Sequence, residues 1–277
     1  MEYIELNISV ADSEQSEIVV ALLSDYPFEA FDEAEGELRA YIQTAEWSQC
    51  QKWVESMLVE QGFRFAALEV EQQNWNAEWE SSFDAVDVVG EKPIRIRAEH
   101  HPAPEEGVID VVIAPRMSFG TGHHTTTALM SATIAAEDVA GKSGLDMGCG
   151  TGVLAIVALK CGAERMVAVD IDDWACDSCR DSIALSGVEA KVDVRCGSID
   201  VVGDEKFDFI LANINRNILQ MMMERFSAVL QSGGWIAMSG FLEEDAEAVA
   251  QSAAEQGLKR VGQQMRDGWV VMVCKKQ

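Results

Sequence analysis

The 277-residue chain is short of positive charge: it has 21 Lys and Arg against 47 Asp and Glu, a formal net charge of −26 at pH 7. Such a surface repels phosphate backbones, which argues against direct nucleic-acid binding and favours basic partners. The imbalance is greatest at the start, because residues 1–82 contain 18 acidic and 3 basic side chains. If this part of the chain binds a partner, we expect that partner to be basic.

Long apolar runs are also missing. The run from Val153 to Leu159 ends at Lys160, far short of the roughly 20 residues of a membrane span. The first ten residues show no basic segment followed by an apolar stretch, so no secretory signal is expected. With 48% hydrophobic and 25% charged residues, the composition is that of a globular protein. We predict a cytoplasmic protein that does not bind membranes.

The pattern of a metal site is absent as well. Cys176 and Cys179 form a CxxC pair inside a segment that reads as a helix, but no second pair or nearby His completes a zinc site. His123 and His124 are adjacent, yet no nearby acid or Cys extends them to a ligand set. We therefore predict no bound metal and a structural role for the Cys pair.

Residues 1–70 predict a small α+β domain. A strand, a helix, two strands, a helix and a strand follow one another, which is the order of a ferredoxin-like split βαβ domain. The second helix is predicted to present Trp53, Met57 and Leu58 on one face. The predicted elements are Ile4–Val10, Ser13–Leu23, Phe28–Phe31, Leu38–Ile42, Ser48–Gln61 and Phe63–Val70.

Residues 71–92 are interpreted as a connector. Within it, the segment QQNWNAEWE has Trp75 and Trp79 four residues apart, so on a helix they would share one stripe. We expect this segment to pack on a neighbouring element.

From about residue 93 the pattern changes: two strand candidates lead to a loop and a helix. Strand and helix patterns then alternate from Ser143 onward, which indicates crossover connections and a parallel sheet. The end of the chain differs, because Asp267–Gly268 joins two strand patterns as a hairpin. A parallel sheet closed by an antiparallel hairpin is typical of a Rossmann-like class I methyltransferase domain. The predicted strands are Pro93–Arg97, Val108–Ala114, Ser143–Met147, Arg165–Asp170, Lys191–Arg195, Phe207–Ala212, Trp235–Ser239, Lys259–Met265 and Trp269–Cys274; helices begin at Gly152, Asp173, Arg216 and Glu243.

A glycine-rich turn, LDMGCGTG, follows the strand that ends at Met147 and opens a helix. Glycines suit a turn where a ligand approaches the backbone closely. Position 153 is Val, so the dinucleotide pattern G-x-G-x-x-G is not met. A plain strand-to-helix turn is the alternative.

An acid, Asp170, ends the next strand, 18 residues after Gly152. A carboxylate at this place accepts both ribose hydroxyls of a bound nucleoside. The alternative is a helix N-cap, a role that Asp172 or Asp173 could fill instead.

The least generic stretch is FGTGHHTTT, from Phe119 to Thr127, ahead of a helix predicted to begin near Ala128. Hydroxyls and helix-start amides suit a carboxylate or another anion. One of the two His residues is a candidate contact for substrate or a proton acceptor; ordinary polar packing is the alternative.

Asn213 lies at the end of the fourth strand, in LANIN. Its carbonyl oxygen can accept a hydrogen bond from a target amine and orient the amine lone pair. Asn215 and Asn217 follow closely, and capping of the next helix is the alternative for this group.

FGTGHHTTT, LDMGCGTGVLAI, AVDID and LANIN, in this order and spacing, resemble the PrmA family, bacterial methyltransferases that modify a large-subunit ribosomal protein. The motifs cover about residues 113–220, and the layout covers the whole chain, including NWNAEW in the connector. The chain has His123-His124-Thr125 where the family commonly has Thr-His-Pro, and Asn215 where it commonly has Leu.

The resemblance implies S-adenosylmethionine as cofactor and a basic large-subunit ribosomal protein as partner, recognised by residues 1–70. The reaction it implies is methyl transfer to lysine side chains, with an N-terminal amine as a further acceptor. Asn213 and, as the loop histidine, His124 are the implied catalytic residues. The implied cofactor contacts are Thr127, Gly148, Asp170 and Asn213, with Phe119, Asp146 and Gly150 from the same motifs.

Two alternatives remain open at this point. The chain could methylate a small amine or a different protein, which a panel of substrates would separate. It could also be a non-catalytic module in which the acidic N-terminal part captures basic proteins, although the intact Gly148, Asp170 and Asn213 count against this. An RNA substrate is disfavoured by the net charge.

Overall fold

The computed structural model describes residues 3–24, 26–34, 36–70, 84–90, 92–114 and 119–277. The chain divides into two compact units, Met1–Ala77 and Glu78–Gln277. The predicted helical stripe of Trp75 and Trp79 lies outside the described residues.

The first unit is a four-stranded antiparallel sheet with two helices. Strand β1 alternates inward and outward side chains, so that Ile4, Leu6 and Ile8 are buried. Asp12 begins the first helix, because its side chain accepts a hydrogen bond from Gln15 N. The sheet order is β2-β3-β1-β4. The elements are β1 Tyr3–Ser9, α1 Ser13–Leu23, β2 Phe28–Ala34, β3 Glu37–Gln43, α2 Thr44–Glu60 and β4 Phe65–Val70.

Helix α2 differs from its prediction in both start and buried face. It begins at Thr44, and its buried stripe is Trp47, Cys50, Val54 and Leu58. These positions are spaced three or four apart, as one helix face requires. Trp53 is exposed, so the predicted face was wrong for that residue. Trp47 was left out of the predicted face because it precedes the predicted start at Ser48, whereas Leu58 belongs to both the predicted and the observed buried face.

The second unit begins with a small sheet of three strands, β5 Val86–Val88, β6 Ile94–Arg97 and β7 Ile109–Val112, in the order β5-β6-β7. Strand β5 was not predicted; it pairs with β6. Arg97 makes a two-point ion pair with Asp110 on the neighbouring strand, with N–O distances of 2.7 and 2.8 Å. This sheet is followed by helix α3, Thr125–Ala136.

The central sheet of the second unit has seven strands in the order β10-β9-β8-β11-β12-β14-β13. β10, β9, β8, β11 and β12 are parallel, whereas β14 runs antiparallel to β12 and β13. The predicted parallel sheet with an antiparallel terminal hairpin is confirmed. The elements are β8 Ser143–Met147, α4 Val153–Lys160, β9 Arg165–Asp170, α5 Asp173–Leu185, β10 Val192–Cys196, β11 Phe207–Asn213, α6 Arg216–Val229, β12 Leu230–Leu242, α7 Ala246–Glu255, β13 Leu258–Arg266 and β14 Trp269–Lys276, with short 3-10 turns at Glu189–Lys191, Ile199–Val202 and Glu243–Asp245.

Apolar side chains cover both faces of the central sheet. Helix α4 is buried along Val153–Leu159, which accounts for the apolar run in the sequence. On the opposite face, α6 contributes Leu219, Met223 and Phe226. Cys176 of the CxxC pair lies next to Cys196, with Cα atoms 6.0 Å apart, so α5 packs against the end of β10. Within the described ranges, no helix is both long and apolar enough to cross a bilayer.

Gly144 on β8 tests how tightly side chains of the neighbouring strands β11 and β9 pack over this part of the sheet. An added Cβ would overlap the Phe209 ring and would lie 2.7 Å from Met166 Sδ. Phe209 is stacked on Trp235 with a centroid separation of 5.1 Å, so it has little room to move. We expect Gly144→Ala to lower the free energy of unfolding by about 1–3 kcal/mol, measured by urea denaturation.

Gly262→Ala is the matched control. Gly262 also lies in a strand, and the nearest atom to its added Cβ would be Val273 Cβ at 3.9 Å, an ordinary contact. Equal stability losses in the two variants would contradict the packing argument.

Candidate functional site

The carboxyl ends of three adjacent parallel strands bring the predicted motifs together. β8 ends at Met147 below the glycine turn, β9 ends at Asp170, and β11 ends at Asn213. β8 lies between the other two, so Asp170 and Asn213 flank the turn. They border a pocket of about 540 Å³ that is also lined by Phe119, Gly148 and Gly150. A crevice at this edge of an open α/β sheet is the usual ligand site.

The glycine turn has the conformation and close contacts that exclude larger residues. Gly148 and Gly150 have φ values of +73° and +52°, a region that L side chains rarely adopt. An added Cβ at Gly150 would overlap the carbonyl oxygen of Phe119, and one at Gly148 would overlap Ile214. The turn therefore keeps Phe119 and Ile214 next to the pocket floor.

Asp170 is tied directly to that turn. Its Oδ2 accepts a hydrogen bond from Gly150 N at 2.9 Å, and its Oδ1 accepts one from Asp172 N at 3.1 Å. The N-cap of α5 is Asp172, which accepts from Trp174 N at 2.9 Å. A carboxylate has about four acceptor positions, so Asp170 retains acceptor capacity for a ligand in the pocket.

Asn213 has an unused acceptor. Its Oδ1 is buried and has no hydrogen-bond partner among the described residues. Asn215 is the N-cap of α6, accepting from Ile218 N at 3.1 Å, and Asn217 accepts from the Arg216 side chain. Because buried polar atoms are normally paired, the Asn213 oxygen marks a position where a donor belongs.

The loop that carries the two His residues enters α3 earlier than predicted, at Thr125 rather than near Ala128. His124 is the N-cap, and its Nδ1 accepts from Thr126 N at 3.3 Å. Thr127 is therefore buried in the first helical turn, where its Oγ1 has no partner among the described residues. His124, Thr127 and Asp146 do not line the pocket, whereas Phe119 does.

Asp146 is a fully buried carboxyl at the end of β8. Its Oδ2 accepts from Ala155 N at 3.0 Å, while its Oδ1 has no partner within the described part of the chain. Burial is the main cause that raises the pKa of Asp146 to about 7, and the charge of Asp170 adds to the shift. Asp146 therefore exchanges its proton near neutral pH.

The sequence reasoning missed an apolar rim on this pocket. Ile171, Trp174 and Met221 line the pocket and are 79%, 73% and 71% exposed. Large apolar side chains this exposed around a cavity indicate a contact surface for ligand or partner. Their position in the sequence could have revealed this rim, since Ile171 directly follows Asp170 at the sheet edge and Trp174 comes four residues after it.

Deprotonation of the buried Asp146 should lower the free energy of unfolding as pH rises. Between the unfolded pKa near 4 and the folded value of about 7, the folded chain holds a proton that the unfolded chain has lost, so the free energy of unfolding falls with rising pH. We expect Asp146→Asn, measured by urea unfolding, to gain about 3 kcal/mol relative to the parent chain between pH 5 and pH 8. A constant difference between the two chains over that range would contradict the assignment.

Comparisons with known proteins indicate one family over nearly the whole chain. A family model described as ribosomal protein L11 methyltransferase (PrmA) matches residues 5–277. The ribosomal protein L11 methyltransferase of Phocaeicola vulgatus is 34% identical over 278 residues, 98% of each chain. That of Bacteroides fragilis is 35% identical over 282 residues, 98% of this chain and 99% of its own.

A solved structure supports the fold. The crystal structure of ribosomal protein L11 methylase from Lactobacillus delbrueckii subsp. bulgaricus matches 70% of this chain and 100% of its own, with a TM-score of 0.64 and 24% identity. The mixed α/β sheet is thus that of a class I methyltransferase. The family match over residues 5–277 and the full-length relatives show that the chain belongs to the PrmA family of ribosomal protein L11 methyltransferases.

Proposed function

We propose that this chain transfers methyl groups from S-adenosylmethionine to lysine side chains, and to an N-terminal amine, of a bacterial ribosomal protein L11. The observation that carries the proposal is the buried, unpartnered Asn213 Oδ1 in the pocket that Asp170 and the glycine turn also line. An acceptor atom at that point suits an amine that must be held by its N–H groups.

The residues of the pocket fit the cofactor. When bound, S-adenosylmethionine supplies a methyl group on a positively charged sulfur, which is already an activated donor. The remaining acceptor positions of Asp170 suit the ribose hydroxyls. Ile171 and Trp174 offer apolar surface to the base, and Gly148 and Gly150 let the ligand approach the backbone.

The acceptor amine must lose a proton before it can attack. For a lysine with a pKa near 10.4, this costs about 4–5 kcal/mol at neutral pH. Ile218, Met221 and Met222 on α6 form an apolar side of the pocket, and such surroundings lower the pKa of an amine by disfavouring its charged form. Asn213 Oδ1 would then accept one N–H and orient the lone pair towards the methyl group.

Recognition of the acceptor protein is proposed for residues 1–70, joined by residues 71–92 to the methyltransferase domain at 93–277. The βαββαβ order and the antiparallel sheet β2-β3-β1-β4 support a ferredoxin-like domain. Its surplus of acidic side chains suits a basic ribosomal protein. We propose a cytoplasmic enzyme that recognises its substrate through protein contacts and without direct nucleic-acid binding.

The role of Asp170 can be measured without an acceptor. Asp170→Asn keeps an oxygen for the Gly150 N–H but removes the charge and one acceptor group. Charge-assisted hydrogen bonds contribute about 1.5–3 kcal/mol each, so S-adenosylhomocysteine should bind roughly 10- to 100-fold more weakly in isothermal titration calorimetry.

Asp173→Asn is the matched control, because Asp173 is exposed in the first turn of α5 and does not line the pocket. Unchanged affinity in Asp170→Asn would remove the proposed ribose contact.

The reaction itself is tested by mass spectrometry. Unmethylated ribosomal protein L11 incubated with the enzyme and S-adenosylmethionine should gain mass in multiples of one methyl group, with the modified amines located by peptide mapping. Asn213→Ala should lower turnover by on the order of 100-fold while S-adenosylhomocysteine affinity changes much less, because the amide orients the acceptor.

Asn217→Ala is its control, since Asn217 is exposed and lies outside the pocket. No mass gain on L11 would overturn the substrate assignment, and equal losses of turnover and cofactor affinity in Asn213→Ala would overturn the positioning role.

A further inference from the structure

The segment from Phe119 to Thr125, here called the His124 loop, is fixed at its start to the glycine turn. Thr151 N donates to the Phe119 carbonyl oxygen at 3.0 Å, and Thr151 Oγ1 donates to the Gly120 carbonyl oxygen at 2.8 Å. The beginning of the loop therefore follows the position of the glycine turn at the pocket floor.

The end of the same loop is fixed to the terminal hairpin, 142 residues further along the chain. Thr125 Oγ1 donates to Asp267 Oδ2 at 3.0 Å. The His124 ring meets the Trp269 ring edge to face, with centroids 4.7 Å apart and an interplanar angle of 72°. The hairpin thus contacts a loop that lines the active site, in addition to completing the sheet.

Aromatic contacts extend this connection into the pocket. The His124 ring also meets the Phe119 ring, with a centroid separation of 5.3 Å. Phe119 is 56% exposed and lines the pocket. A movement of Trp269 would therefore be passed through His124 to a side chain that a ligand touches.

The hydrogen bonds of His124 also define which ring nitrogen carries the proton. Nδ1 accepts from Thr126 N, and Thr126 Oγ1 lies 2.8 Å from the same atom. A backbone N–H can only donate, so Nδ1 is unprotonated and a neutral ring carries its proton on Nε2. With one nitrogen used as a cap and the other protonated, neutral His124 has no free acceptor for a substrate proton.

We propose that Asp267 and Trp269 are positioning residues that hold the His124 loop in place beside the pocket. Building on the proposed function, the loop held in this way contacts the acceptor protein, and His124, which does not line the pocket, does not take the proton of the reacting amine. Asp267 has a positive φ of +53°, uncommon for a non-glycine residue. Asp-Gly is a common pair at such a hairpin turn, and glycine also adopts this conformation, so the Asp267 side chain can be removed without changing the turn.

The test removes the Asp267 side chain while keeping the turn. Asp267→Gly suits the positive φ and should leave folding intact. We expect kcat on ribosomal protein L11 to fall by on the order of ten-fold, with S-adenosylhomocysteine affinity changed less than about two-fold. Asp267→Asn should restore kcat, because an amide oxygen accepts from Thr125 and Asn tolerates this backbone conformation.

A double-mutant cycle tests whether the loss of kcat comes from the hydrogen bond between Thr125 and Asp267. Thr125→Val should reproduce the loss, and the double variant with Asp267→Gly should be no worse than either single variant. Gln264→Ala, exposed on the same hairpin, is the control that leaves kcat unchanged. Additive losses, or wild-type kcat in Asp267→Gly, would overturn the proposal.

A second measurement needs no acceptor and so separates this proposal from the choice of substrate. Imidazole nitrogen shifts from NMR of the ligand-free enzyme, assigned with His124→Gln, should give the Nε2–H tautomer for His124. Those signals should broaden or shift in Asp267→Gly and Trp269→Leu. An Nδ1–H tautomer, or signals that no hairpin variant moves, would overturn it even if methyl transfer to L11 is observed.

Discussion

The hydrogen bond from Gly150 N–H to Asp170 Oδ2 joins the two motifs on which the site depends. It fixes the acid that ends β9 against the turn that follows β8, so the carboxylate and the backbone that we propose hold the ligand are positioned together. The turn can adopt this shape only with glycine at Gly148 and Gly150, since side chains there would overlap Ile214 and Phe119. Its geometry therefore also sets where the first residue of the His124 loop and the segment after Asn213 lie.

The chain combines an acidic first unit with a second unit whose pocket has an apolar side, and negative charge and apolar surroundings have opposite effects on an amine. Carboxylates attract a basic partner and raise the pKa of a nearby lysine, which opposes attack at the methyl group. Apolar walls such as Met222 and Ile218 lower that pKa. Residues 1–82 have 18 acidic and 3 basic side chains, a net charge of −15 out of −26, whereas the α6 side chains that line the pocket, Ile218, Met221 and Met222, are apolar.

Periodicity and turn chemistry were enough to predict most of the fold. The strands ending at Met147 and Asp170, the helices beginning at Asp173 and Arg216, and the terminal hairpin were predicted as observed. Strand β5 was missed because three residues carry no usable period. The start of α3 was misjudged because His124 serves as the N-cap, a role that usually falls to Ser, Thr, Asp or Asn. The meeting of Trp269 with His124 could not be predicted, since no local pattern encodes a contact between residues so distant in sequence.

The position of β14 has a consequence for how the enzyme is made. This strand follows β13 in the sequence, yet it lies inside the central sheet, between β12 and β13. The six elements of the first unit are complete by Val70 and can fold while translation continues. The central sheet of the second unit must instead wait, with β12 and β13 unjoined, until β14 leaves the ribosome. During translation, the acidic first unit can thus fold and become accessible before the sheet that carries the active site is complete.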